Sequence, residues 1–194
     1  MRLDVSELRR RLASRSPPEF SVYGDDGAGR EGTTAAAVLI PVVAHPGELT
    51  VLFTQRTQHL KNHSGQVSFP GGRVEPGDAS VEFTALREAK EEIGLAAERV
   101  EILGRLPDYH TRTGFRVAPV IGLVAPPLAL ALDPREVEAV FEVPLAFLLD
   151  ERNRERRTRE FQGLSVSFYV YEYQGHVIWG ATAGMLVNLH KMLQ

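Results

Sequence analysis

The chain has 194 residues, 43% of them hydrophobic and 24% charged, the proportions of a globular protein with a full core and not of a disordered or fibrous one. A formal charge of -3 argues against general nucleic-acid binding, and the lack of cysteine excludes disulfides, thiolate metal sites and cysteine nucleophiles. No apolar run reaches the ~18 residues of a membrane span and the N-terminus lacks a signal-peptide core, so a cytoplasmic protein that is not membrane-attached is expected.

Taken in order, Asp4 and Glu7 in capping-box spacing, with Val5, Leu8 and Leu12 on one stripe, predict a helix over 4–13. Residues 14–33 are rich in proline, glycine and small polar residues and read as a mobile loop. Two partly β-branched apolar runs, 33–44 and 49–56, are joined by HPGE and predict a hairpin. A loop over 57–72 carries one short strand at 66–69. Further strands are expected at 100–106, 115–125 and 137–143, separated by loops at 108–114 and 126–136. Pro144 suits the first turn of a helix reaching Asp150. The arginines at 152, 154, 156, 157 and 159 are interleaved with Glu151, Glu155 and Glu160, which reads as a solvated face outside any site. A strand pair hinged at Gln174 and Gly175 precedes a last helix over 182–193. Strands flanked by helices indicate a mixed sheet of the α/β class.

The most informative stretch runs from Gly71 to Leu95. Glycines at 71, 72 and 77, with Pro76 and Asp78, form a loop that feeds a helix beginning near Ser80 and stopping at Gly94. At ~100° per residue, Phe83, Leu86, Ala89 and Ile93 are expected on an apolar side, with Glu88, Glu91 and Glu92 on an exposed opposite arc. That arc opposes stability. Glu88 and Glu92 are a like-charge i,i+4 pair costing roughly 0.2 to 0.5 kcal/mol, and Glu91 and Glu92 sit at the negative end of the helix dipole. Within the helix only Arg87, four before Glu91, compensates. Clustered carboxylates on a rigid element suit a hard cation such as Mg²⁺. A plain acidic face is the alternative, which the spacing and the preceding glycine loop disfavour.

This segment resembles the Nudix box, a glycine, five residues, an acid, a spacer and then REUxEExGU with U aliphatic. Gly72, Arg87, Glu88, Glu91, Glu92, Gly94 and Leu95 match, and Ala89 fills the first aliphatic place. Asp78 stands where glutamate is usual, and the spacer to Arg87 is one residue longer than the common form. The resemblance implies a Nudix fold, an α/β/α sandwich around a central mixed β-sheet, with 1–194 as one domain: N-terminal helix and loop over 1–33, catalytic core over 34–194. It further implies Mg²⁺, or Mn²⁺ in its place, held by Glu88, Glu91, Glu92 and the Gly72 carbonyl. A fourth catalytic carboxylate from beyond the box is assigned to Glu136, ahead of Glu138.

Residues 52–72 resemble a second signature, that of the coenzyme A pyrophosphatase branch. Leu52, Thr54, Arg56, Gly65, Phe69, Pro70, Gly71 and Gly72 match, while Phe53, Thr57 and Lys61 depart from it. Arg56 and Lys61 are therefore expected to bind substrate phosphates, although lysine lacks the bidentate fork of arginine. The implied reaction is attack of water on the pyrophosphate of coenzyme A, giving 3′,5′-ADP and 4′-phosphopantetheine. The alternatives are the same hydrolysis on ADP-ribose or another nucleoside diphosphate derivative, or a catalytically silent domain that binds a nucleotide. The implied partner is a small molecule, with neither nucleic acid nor membrane involved. His59 and His63 have i,i+4 spacing without a third ligand and read as surface residues. Ser64 and Ser68 lack a paired base, and Tyr109 and His110 fall in a loop with no signal for or against substrate contact.

Overall fold

The computed structural model describes residues 3–13, 24–25, 33–58, 65–161 and 163–194. Strand β1 (Thr34–His45) is its spine. Successive strand side chains point to opposite faces, and β1 is apolar on both: Ala36, Ile40 and Val42 enter one core, Ala37, Leu39 and Val43 the other. A strand buried on two sides needs such an uninterrupted run. Strand β7 (Phe115–Val124) repeats the pattern and lies parallel to β1, from Thr34 beside Phe115 to Val43 beside Val124.

Strand β2 (Glu48–Arg56) returns from β1 through a tight turn but pairs with it only near that turn, from Val42 with Val51 to His45 with Glu48. Beyond this the two strands part. The gap is filled by β3 (Val67–Ser68) on β2 and β4 (Gly71–Arg73) on β1, with the Leu39 N–H donating to Pro70 O at 2.9 Å. Strands β5 (Val100–Arg105) and β6 (Tyr109–His110) add to β7, and β8 (Val137–Pro144) adds to β2, completing an eight-stranded mixed sheet. A separate antiparallel sheet contains β9 (Arg154–Phe161), β10 (Leu164–Tyr173) and β11 (His176–Trp179).

Helix α2 (Val81–Ile93) packs on the face of the large sheet that carries Ala37 and Leu39. On the opposite face lie α1 (Val5–Ala13), the single turn α3 (Leu145–Leu148) and α4 (Gly180–Leu193), which bring Leu8, Leu148, Leu186 and Leu189 into the core of Ile40 and Phe53. Helices on both sides of a mixed sheet are the expected α/β arrangement. Among the described residues no helix is long and apolar enough to cross a membrane.

Several expectations are corrected. On α2 the buried stripe is Ala85, Ala89, Glu92 and Ile93, whereas Phe83 is 49% exposed. The two alanines let the helix approach the sheet closely, which a phenylalanine side chain would prevent, so packing outweighs apolarity in choosing the face. Glu92 is therefore buried and not on an exposed arc. Tyr109 and His110 form a strand, as does 154–161, because β7 and β10 offer them free edges. Of the loop expected over 14–33, only Gly24, Asp25 and Thr33 lie within the described residues. Asp25 is fixed to β6, its N–H donating to His110 O at 2.8 Å.

Close packing of α2 depends on the small side chain at Ala89, which is fully buried. Ala89→Leu is expected to overpack the interface by about 2 kcal/mol and lower the melting temperature by roughly 4–8 °C. Thermal denaturation followed by circular dichroism checks this, and an unchanged midpoint would show that the helix has room to spare.

Candidate active site

The last two turns of α2 face the break between β1 and β2. Ser80 starts the helix, its Oγ accepting from the Phe83 N–H at 3.2 Å, and Gly94 ends it with φ 70°. These caps fix the ends of the helix that carries the carboxylates. Glu92, 5% exposed, accepts the Gly71 N–H at 3.1 Å through Oε2, while its Oε1 lies 3.6 Å from Arg56 Nη1. Arg56, at the end of β2, also faces Glu136, with Nη2 4.0 Å from Oε2. Glu88 lies directly against Gly72, where a Cβ would collide with its carboxylate. A side chain at this position would push the Glu88 carboxylate aside.

Glu136 is brought here by the crossing loop, which docks on the C-terminal end of α2. The Ala131 N–H donates to Ile93 O and the Asp133 N–H to Glu92 O, both at 2.9 Å, satisfying carbonyls that a helix end leaves open. The Glu136 N–H then donates to Asp133 O at 3.0 Å, and Glu136 O accepts from Thr57 N–H at 3.0 Å. Glu136, and not Glu138, is the residue that meets Arg56.

Arg87 does more than compensate Glu91. Its Nε and Nη2 fork onto Asp78 at 3.1 and 3.0 Å, Nη2 also reaches Arg73 O at 3.1 Å, and Nη1 donates to Glu88 at 2.9 Å and Glu91 at 3.2 Å. Asp78 accepts as well from the Glu75 N–H at 2.9 Å and Thr84 Oγ1 at 2.8 Å. The Arg87 fork holds the Asp78 carboxyl far below its ordinary range, and Asp78 in turn holds Arg87 firmly charged. This network clamps the loop bearing Gly72 to the helix bearing Glu88. The sequence alone assigns neither residue this role, although the i,i+9 acid and arginine both stand within the motif.

The carboxylates differ in environment. Burial pushes Glu92 up to about 7, opposed by the Gly71 N–H and Arg56 and reinforced by Glu136 and Glu88. Burial also raises Glu88, against the pull of Arg87. Glu91 is 59% exposed and stands at the rim. Among the described residues no three acidic or histidine side chains are already gathered as a closed metal site. Arg56 stands beside Glu92 and Glu136, and Arg87 beside Glu88 and Glu91. Lys61, His59, His63 and Ser64 lie outside the described residues. Tyr109 is buried, with its hydroxyl donating to Asp25 at 2.8 Å.

The site opens on a cleft of about 860 Å³ whose lining passes from Arg56, Gly71 and Gly72 on the large sheet to Phe168 and Trp179 on the small one. Ser68 lines it too, and its hydroxyl meets Thr54 Oγ1 at 3.0 Å.

A carboxyl raised from 4.5 to about 7 binds an extra proton in the folded state between those values. Its contribution to stability is complete below pH 4.5 and is lost as pH rises through 7. In EDTA, the Glu92→Gln protein is therefore expected to match or exceed the wild type at about pH 8, by on the order of 1–3 kcal/mol, with the difference shrinking toward about pH 5. Urea unfolding at both pH values measures it; a difference that does not vary with pH would mean that Glu92 is ionised throughout.

A model of the NUDIX domain matches residues 33–170. The protein called "Uncharacterized Nudix hydrolase NudL" from Photorhabdus laumondii is 40% identical over 192 residues, covering 99% of each chain. A protein of the same name from Shigella boydii is 44% identical over 154 residues, 79% of this chain and 80% of its own. The crystal structure of a Nudix hydrolase from M. Smegmatis, RenU, is similar with a TM-score of 0.57 at 21% identity, over 90% of this chain and 94% of that one, a likeness of fold alone. With the family match spanning most of the chain and a full-length relative at this identity, the chain belongs to the Nudix family.

Proposed function

We propose that this protein hydrolyses the pyrophosphate bond of coenzyme A and its derivatives, releasing 3′,5′-ADP and 4′-phosphopantetheine. The observation that carries the reading is the meeting of Glu88, Glu92, Glu136 and Arg56 at Gly71–Gly72, at the mouth of a long cleft. An acidic group beside a phosphate-binding cation is what an anhydride needs, because charge develops on both the attacking and the leaving oxygens. The relatives' names supply hydrolysis, and the 52–72 signature, with Arg56 in the site, supports coenzyme A.

Members of the family generally use divalent metals such as Mg²⁺. The donor set fits such an ion: every candidate atom is a carboxylate or carbonyl oxygen, and Glu92 is a buried acid only partly neutralised by Arg56. Glu88, Glu91, Glu92 and the Gly72 carbonyl would hold Mg²⁺, or Mn²⁺ as a substitute. Bound there, the ion supplies neutralisation of anhydride oxygens and a more acidic water. Glu136, half-exposed and outside the helix, is the residue we assign to orient or deprotonate the attacking water. Arg56 binds a substrate phosphate on the same side, and Lys61, from the segment between β2 and β3, is assigned to another.

We further take 1–194 to act as one unit. Helices α1 and α4 extend outside the matched 33–170, yet both enter the sheet core; Arg9 forks onto Glu101 of β5 and Arg11 donates to Leu193 O. Coenzyme A is an intracellular cofactor, so the cytoplasm is the compartment we assign.

The test is a panel of coenzyme A, ADP-ribose, diadenosine polyphosphates and nucleoside triphosphates with Mg²⁺ or Mn²⁺, products identified by mass. Coenzyme A is expected to react fastest. Faster turnover of ADP-ribose would reassign the substrate, and no turnover of any compound would favour a silent binding domain. Glu92→Gln should lower turnover about a hundredfold or more with the fold intact, and Arg56→Ala should lower kcat/KM roughly tenfold with little change in melting temperature.

A further inference from the structure

The cleft is longer than the reaction centre, and its remaining wall carries charge and rings together. Among the described residues four arginines line it, Arg56, Arg73, Arg112 and Arg159, against one acid, Asp25, whose carboxylate already accepts from the Tyr109 hydroxyl and the Arg112 N–H. Such a lining favours an anion. Two of the arginines lie over aromatic rings that also face the cleft: Arg73 Cζ is 5.4 Å from the Phe115 ring centre, and Arg159 Cζ is 5.8 Å from that of Trp179. Phe168 meets Trp179 edge-on at 5.9 Å, leaving a ring-rich surface. The first pair stands on the large sheet, the second on the small one.

Planar guanidinium and indole surfaces stack on planar ligands, and the arginine fork matches a phosphate. Arg56 belongs to the carboxylate cluster, and Arg73 follows Gly72 on β4, so both adjoin the carboxylate end of the cleft. Arg159 is on another sheet. It is an exposed residue of β9, on the stretch expected from sequence to be a solvated face with no part in the site.

We propose that Arg159 and the Trp179–Phe168 surface form a subsite for a nucleotide that carries a second phosphate on its ribose: the rings take the base, and Arg159 takes that phosphate. Resting on the coenzyme A reading above, the ligand is the 3′-phosphorylated adenosine end of the substrate. Arg159 is then a specificity-determining residue, separating coenzyme A from its dephospho form, and the pantetheine arm leaves the site away from the small sheet.

Two measurements test this on the wild type, Arg159→Gln and Trp179→Leu. In calorimetric titrations with 3′,5′-ADP, 5′-AMP and 4′-phosphopantetheine, the wild type should bind 3′,5′-ADP at least ~10-fold tighter than 5′-AMP. Arg159→Gln should abolish that ratio, and Trp179→Leu should weaken both nucleotides alike. In steady-state kinetics, Arg159→Gln should lower kcat/KM roughly tenfold for coenzyme A, mostly through KM, and less than about twofold for dephospho-coenzyme A. A ratio unchanged in Arg159→Gln overturns the proposal, as does loss of 4′-phosphopantetheine affinity in its place. Should Trp179→Leu fail to fold, the exposed Arg159 position decides alone. Wild-type protein that does not cleave coenzyme A but discriminates 3′,5′-ADP through Arg159 would uphold the subsite and remove the substrate reading. Cleavage of coenzyme A with Arg159→Gln indifferent to the 3′-phosphate would do the reverse.

Discussion

A carboxylate buried on the sheet-facing stripe of a helix is the constraint around which this structure is arranged. Glu92 is 5% exposed, and an acid taken out of water at that depth destabilises the fold unless it is hydrogen-bonded or neutralised. Among the described residues it has one backbone donor, Gly71, and one cation at 3.6 Å, Arg56, and these leave it raised to about 7. The protein therefore holds a strong, incompletely satisfied acceptor at a fixed place. That is a cost to stability with a use in catalysis, and such local conflicts are expected at functional sites.

The rest of the fold positions the partners of that acid. Because β1 and β2 separate beyond Val42 and Val51, β4 can pair with the start of β1 and present Gly71 and Gly72 beneath α2. Gly71 tolerates no side chain, because a Cβ there would strike the β1 backbone at Ala37 O, and a Cβ on Gly72 would displace the Glu88 carboxylate. Alanines at 85 and 89 bring the helix down onto this surface. The loop from Ala131 to Glu136 then closes the C-terminal end of the helix and delivers the fourth acid. Close approach, and not any single strong contact, is what assembles the group.

Much of this is legible in the chain, and what escapes it does so for definite causes. Ser80 and Gly94 mark the helix ends because capping is a local interaction, and the run from Thr34 to Arg56 declares a hairpin by its composition. The rotation of α2 differs from the periodic expectation because Phe83 is the most apolar residue nearby, while the choice of face depends on how near the sheet comes. Position 92 is three after Ala89 and seven after Ala85, so its burial follows once small residues are read as contact points. The strands at 109–110 and 154–161 are hidden for another reason: their partners, β7 and β10, supply hydrogen bonds that no local propensity announces. For Arg159, charge patterning describes its solvent exposure correctly and misses the cleft, since the cleft is made by a second sheet.

Arg87 explains why the cluster does not neutralise itself. An arginine four before Glu91 would ordinarily pair with it, yet here its fork is taken by Asp78, which lies at 3% exposure with further donors from Thr84 and Glu75. With Nε and Nη2 committed there, only Nη1 remains for Glu88 and Glu91, and none of the guanidinium donates to Glu92. Asp78 thus acts at a distance from the chemistry by occupying the cation that would otherwise fill the site. The clamp keeps the Gly72 loop seated and gives Glu88 a single Arg87 donor and Glu92 none.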